Sequence, residues 1–131
     1  MRENLIKNLE SLTLFTQNAK KLAGFYRDKV GLKVKFEAVM GENDEEMYDM
    51  SVGKKSGFYI IDHSKVRGKN KQPERIIFNL EVDDIKKETA RLKKAKVKVV
   101  QDTYHVEGYG YITTFADLDD NFFQLVQVKA N

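Results

Sequence analysis

The chain has 131 residues, of which 41% are apolar and 33% charged, enough for one ordinary globular domain and too balanced for a disordered tail. It contains no cysteine, which excludes a disulfide framework, a thiolate metal site and a cysteine nucleophile. The net charge is +3, and no run of ~20 apolar residues is present to span a bilayer. The charged start Met1-Arg2-Glu3-Asn4-Leu5-Ile6-Lys7-Asn8 lacks the apolar core of a secretory leader, so a soluble cytoplasmic protein is expected.

In chain order, Leu12-Thr13-Leu14-Phe15-Thr16 alternates as a strand does, with Leu12 and Leu14 on one face and Ser11, Thr13 and Phe15 on the other. Asn18 is a good helix N-cap, and Leu22, Phe25, Tyr26 and Val30 form one apolar stripe of a helix expected over residues 19–30. Gly31 stands where a left-handed residue would end it. Three further strands are expected at residues 32–39, 47–52 and 58–61.

Residues 64–74 form a polar connector with Lys65, Arg67, Lys69 and Lys71, and with Val66 alone apolar. The connector is the one candidate nucleic-acid patch. It lacks the interleaved aromatics that stack bases, so a solvated linker is the preferred reading.

The pattern then starts again. A strand is expected at residues 76–82, a helix capped by Asp83-Asp84 at 85–94, a strand at 97–100 and a polar loop at 101–108. Strands at 111–115 and 122–128 flank a turn at 117–120. Leu14–Lys21 lies over Leu80–Lys87, so the halves repeat in residues as well as in order. The predicted fold is α+β: two tandem βαβββ modules, about 9–63 and 75–128, joined by linker 64–74 in a single domain. The expected shape is a cupped mixed sheet with two outer helices, and the cup is the natural ligand cavity.

Three stretches carry a family resemblance. They are Leu22-Ala23-Gly24-Phe25-Tyr26-Arg27-Asp28-Lys29-Val30-Gly31-Leu32, Leu80-Glu81-Val82-Asp83-Asp84, and Phe115-Ala116-Asp117-Leu118-Asp119-Asp120-Asn121-Phe122-Phe123-Gln124-Leu125. In this order they resemble the vicinal oxygen chelate superfamily of glyoxalases, extradiol dioxygenases and bleomycin-resistance proteins. In the hairpin Leu118 and Asp120 stand where that family has Pro and Gly, and Asp tolerates left-handed backbone.

The resemblance implies metal-ligand positions on the first and last strands of each half. A divalent ion there would bind two neighbouring substrate oxygens as a Lewis acid. Those positions fall on Ser11, on Tyr59 or Ile61, on Ile77 and on Gln124. None is a usual ligand for such an ion, so no metal cofactor is expected. The competing reading moves a metal or acid–base site to His63, His105 and Glu107 and makes the protein a lyase, isomerase or dioxygenase.

Alternation places Tyr59, Tyr109, Tyr111 and Phe15 on the cup wall, with Thr13, Asn79 and Gln124 as sparse polar contacts. The candidate ligand-binding set is therefore Ser11, Thr13, Phe15, Tyr59, Ile61, His63, Ile77, Asn79, Tyr109, Tyr111 and Gln124, suited to a planar or amphipathic organic molecule. The resemblance also implies a homodimer. Neither nucleic acid nor a membrane is expected as a partner.

Overall fold

The computed structural model describes residues 5–128. Among the described residues eight strands and two α-helices follow the predicted βαβββ repeat: β1 (Ser11–Thr16), α1 (Ala19–Phe25), β2 (Phe36–Met40), β3 (Glu45–Asp49), β4 (Gly57–Asp62), β5 (Ile77–Glu81), α2 (Ile85–Lys94), β6 (Lys98–Val106), β7 (Gly110–Ala116) and β8 (Phe122–Val128). The fold is α+β with two βαβββ modules, as expected. The first helix narrows to Ala19–Phe25 and continues as a wider π-helical turn over Tyr26–Val30, ended by Gly31 at φ 100°.

The chain forms two compact units. One takes the described residues up to Ala23 with Gly31–Arg67; the other takes Gly24–Val30 with Gly68 onward. The boundary crosses the first helix, so the Phe25-Tyr26 dipeptide belongs with the second sheet. The apolar stripe of the sequence gives no hint of that division.

In the first unit the sheet order is β1-β4-β3-β2, with β1 parallel to β4 and the other pairs antiparallel. One face carries Tyr48, Phe58 and Ile60, all buried. Asp62, at the end of β4, accepts the Ala19 amide at 2.6 Å and the Glu46 amide at 2.9 Å, tying the start of α1 to two strands. Asn18 caps the same helix through the Lys21 amide.

The second unit repeats this plan, with order β5-β8-β7-β6 and β5 parallel to β8. Gln127 accepts the Ile85 amide at 2.8 Å, as Asp62 accepts that of Ala19. Asp84 caps α2 through the Lys87 amide, as Asn18 caps α1. The repeat therefore extends to the hydrogen bonds that satisfy the free amides of each helix start. Thr89 of α2 meets Thr113 of β7 at 3.1 Å, so this helix lies over the Thr113, Leu125 and Gln127 face.

Phe115, Phe123 and Phe78 stack in series on that face, and Tyr26 packs on Phe123 at 5.6 Å between ring centroids. Arg91 donates to the carbonyls of Lys29 and Val30, which closes the π-helical turn.

Two strand predictions need correction. The polar stretch 101–106 continues β6 rather than forming a loop, and His105 lies on that strand. Register shifts between Val99 and Tyr104 destroy the alternation that would have revealed it. Strands β2 and β3 begin at Phe36 and Glu45, offset from the predicted runs. In the turn before β8, Asp120 does hold φ 60°, the left-handed conformation anticipated for it.

Asp117 organises that turn. Its Oδ1 accepts the amides of Asp119 and Asn121, and its Oδ2 accepts Asn121 Nδ2 and the Tyr26 hydroxyl, the last at 2.6 Å. Burial pushes both groups up from their ordinary pKa values, far so for the phenol, and the carboxylate beside it raises Tyr26 further. Tyr26→Phe leaves a buried carboxylate oxygen short of its strongest donor. We expect a loss of about 1–3 kcal/mol in urea unfolding.

The folded chain holds the Asp117 proton more tightly than the unfolded chain does. The stability this contributes is present below the ordinary carboxylate pKa and is lost as pH rises through the elevated one. Unfolding curves from pH 3 to 6 should show that downward component in the native protein and not in Asp117→Asn.

Candidate functional site

Strand alternation settles which candidates share a surface. In the first unit Ser11 pairs with Gly57, Thr13 with Tyr59 and Phe15 with Ile61. These six positions lie on the sheet face opposite Phe58 and Ile60. The face is only partly covered, and Phe15 is 48% exposed. His63 follows at the strand end, its ring edge-on to Phe15 at 5.2 Å, and its Nδ1 accepts the Lys65 amide. Ser11, Thr13, Phe15, Tyr59 and Ile61 thus share one sheet face, with His63 beside Phe15 at its end.

Gly57 explains how Tyr59 is held. A Cβ at Gly57 would stand 2.7 Å from Tyr59 Cε2 and 3.0 Å from its hydroxyl and from Ser11 Cβ. The phenol thus folds back along its own strand into the space the glycine leaves, beside Ser11. Gly57 is the site residue that sequence reasoning missed. Its signal was a glycine two residues before an aromatic.

In the second unit Asn79 pairs with Gln124, and Gln124 with Thr114, placing all three on the face opposite Phe123 and Phe115. Gln124 Nε2 donates to Thr114 Oγ1 at 2.9 Å. Ile77 shares the face and is 41% exposed. Tyr109, in the turn before β7, brings its hydroxyl to 3.5 Å from Asn79 Nδ2.

Tyr111 does not join them. It pairs with Gln127 on one side and His105 on the other, on the face that carries Thr113 and Phe115. The alternation of β7 runs from Thr113 to Tyr111, so counting from Tyr109 across the turn put Tyr111 on the wrong face. His105 and Tyr111 stack at 4.8 Å there.

The internal repeat also chooses between Tyr59 and Ile61. Thr13 pairs with Tyr59 as Asn79 pairs with Gln124, so Tyr59 is the counterpart of Gln124, and Ser11 is that of Ile77. The four positions where the resemblance puts metal ligands hold a hydroxyl, a phenol, an alkyl group and a carboxamide. An ion that acts as a Lewis acid on substrate oxygens wants imidazole and carboxylate donors. This set does not fit it, and Gln124 already donates its amide to Thr114. Among the described residues no three His, Asp or Glu side chains come together as a metal-holding group, which leaves the His63, His105 and Glu107 alternative without a ligand cluster.

A family model for the Glyoxalase/Bleomycin resistance protein/Dioxygenase superfamily matches residues 8–125. The chain belongs to this superfamily. None of the curated protein sequences matches it. Among solved structures it is similar to TnmS3, an antibiotic-binding protein from Streptomyces sp. CB03234, at 19% identity and TM-score 0.75, covering 97% of this chain and 100% of that one. It is similar to the trypanothione-dependent glyoxalase I of Leishmania major at 15% identity and TM-score 0.73, covering 93% and 87%. A glyoxalase family protein from Enterococcus faecalis gives 19% identity and TM-score 0.74, covering 95% and 100%. At these identities the likeness is one of fold.

The packing of Tyr59 on Gly57 yields a test. Gly57→Ala should displace the phenol and destabilise the protein by up to about 1–3 kcal/mol, the range for overpacking. In a double-mutant cycle with Tyr59→Ala most of that cost should vanish, because the clash has lost its partner.

Proposed function

We propose that this superfamily member binds a small organic molecule against the open sheet faces without using a divalent metal. The observation that carries this reading is the residue set at the four equivalent positions: Ser11, Tyr59, Ile77 and Gln124, which contain neither imidazole nor carboxylate. In the first unit these positions offer a hydroxyl and a phenol, and in the second an alkyl group and an amide, on each face an apolar surface with a few orienting polar groups.

Phe15 and Ile61 extend the apolar surface of the first unit, and Asn79 and Thr114 supply hydrogen-bonding capacity in the second. Aromatic walls of this kind favour planar or amphipathic ligands, which gain by stacking as well as by burial. TnmS3, named an antibiotic-binding protein, shares the fold and supports a binding role. A nucleic acid is not the ligand expected on the open face of the first sheet. Its phosphates require lysine and arginine, and the four strands of the first sheet contain neither.

A thermal-shift screen of planar aromatic antibiotics and metabolites tests the reading. At least one compound should raise the melting temperature by several degrees, since ligand at 100 times its Kd adds about 2.7 kcal/mol. The shift should persist in EDTA and be lost in Tyr59→Ala. Calorimetric titration with nickel or zinc should show no micromolar site. Micromolar binding that disappears in Gln124→Ala would overturn the proposal.

A further inference from the structure

The first sheet is acidic throughout. Its four strands contain Glu37, Glu45, Glu46, Asp49 and Asp62, and no lysine or arginine, although the whole chain carries +3. Strand register sorts these carboxylates. Glu37 pairs with Tyr48, and Asp62 with Thr16, on the face that includes the buried Ile60. Glu46 receives the Tyr48 hydroxyl, and Asp62 receives two backbone amides, so both have structural work.

Asp49 is different. It pairs with Tyr59 on one side and Phe36 on the other, on the open face. The row across the sheet reads Phe36, Asp49, Tyr59, Thr13, with cross-strand Cβ atoms about 5 Å apart. Asp49 therefore has an aromatic residue as its register partner on each neighbouring strand: Phe36, 57% exposed, and Tyr59, whose ring lies toward Gly57 and Ser11.

The carboxylate is also held in place. Asp49 Oδ1 accepts both the amide and the hydroxyl of Ser51, and Ser51 Oγ in turn accepts the Phe58 amide at 2.9 Å. Among the described residues Asp49 Oδ2 receives no hydrogen bond and the side chain joins no ion pair. The nearest lysine in sequence on β2's side, Lys35, turns its Nζ to the Gly53 carbonyl at 3.3 Å. A fixed carboxylate with one open oxygen, in register with the exposed Phe36, matches an organic cation: the oxygen takes an N–H bond, and an aromatic ring nearby can add cation–π attraction.

We infer that the ligand of the open face on the first sheet is a planar organic cation, a protonated amine on an aromatic ring system, recognised by Asp49 between Phe36 and Tyr59. This rests on the binding role proposed above and names the chemical class of that ligand.

Three acridines of nearly equal ring area separate the two ideas: 9-aminoacridine as the cation, acridone as the neutral ring, and acridine-9-carboxylate as the anion. Calorimetry on the full chain should give 9-aminoacridine an affinity at least about tenfold above acridone, equivalent to ~1.4 kcal/mol, with the carboxylate weakest. Asp49→Asn keeps an oxygen for Ser51 and should reduce that preference to threefold or less while acridone affinity stays the same. Tyr59→Leu should weaken all three and shrink the cation's advantage, which checks the site independently if Asp49→Asn folds poorly. If acridone or the carboxylate binds as well as 9-aminoacridine, the charge assignment fails and the binding role stands. If none of the three binds, both are overturned for this ring class.

Discussion

Two parallel strand pairs govern what this protein can present to a ligand. The pairing of β1 with β4 and of β5 with β8 fixes side-chain parity, and a shift of one residue would exchange every buried side chain for an open one. Phe58 and Ile60 are buried because Tyr59 and Ile61 are not, and the same trade sets Phe123 and Leu125 against Gln124. The helices hold this parity. Each begins with an amide bonded to a side chain on the inner of the paired strands, Asp62 for α1 and Gln127 for α2, so a slipped strand would also lose its helix anchor.

The anchors differ in charge, and the difference extends beyond the helix starts. Asp62 is one of five carboxylates in the strands of the first sheet, whereas Gln127 is neutral and the strands of the second sheet carry Glu81, Asp102 and Lys98. Duplicated modules have kept the same hydrogen-bond geometry while their surfaces diverged. Lysines and arginines are concentrated elsewhere, on the outer side of α2 and in the connector at Lys65, Arg67, Lys69 and Lys71. A net charge of +3 thus says little about the potential over any one face.

Much of this was legible in the sequence because it depends on period and on caps. Asn18 and Asp84 announced both helix starts, and Leu12 and Leu14 against Thr13 and Phe15 gave the parity of β1. The repeat of Leu14–Lys21 in Leu80–Lys87 fixed the plan of the second half. What failed had no periodic signal. The bulged run around Gln101 and Thr103 hid a strand, and the turn at Gly108 reset the count that had assigned Tyr111. Gly57 and Asp49 went unnoticed for another reason: their importance comes from neighbours on other strands, and a single-chain pattern does not display cross-strand partners.

Asp117 and Asp49 show how context divides the work of one residue type. Asp117 is buried, with both oxygens occupied by donors from its own turn and from Tyr26, and that network offsets part of its desolvation. It fixes the hairpin from which β8, and so Gln124, departs. Asp49 has one oxygen occupied and lies on a partly open face, with Phe36 and Tyr59 as its register partners. An oxygen of that carboxylate without a partner is open to a donor from a cationic ligand. The superfamily's usual route to binding places charge in a metal ion and lets the ligand bring oxygens. Here the four corresponding positions are uncharged, and the fixed charge sits one strand over at Asp49, with the opposite sign. The cationic ligand proposed above would reverse the polarity of recognition, with the protein supplying the anion.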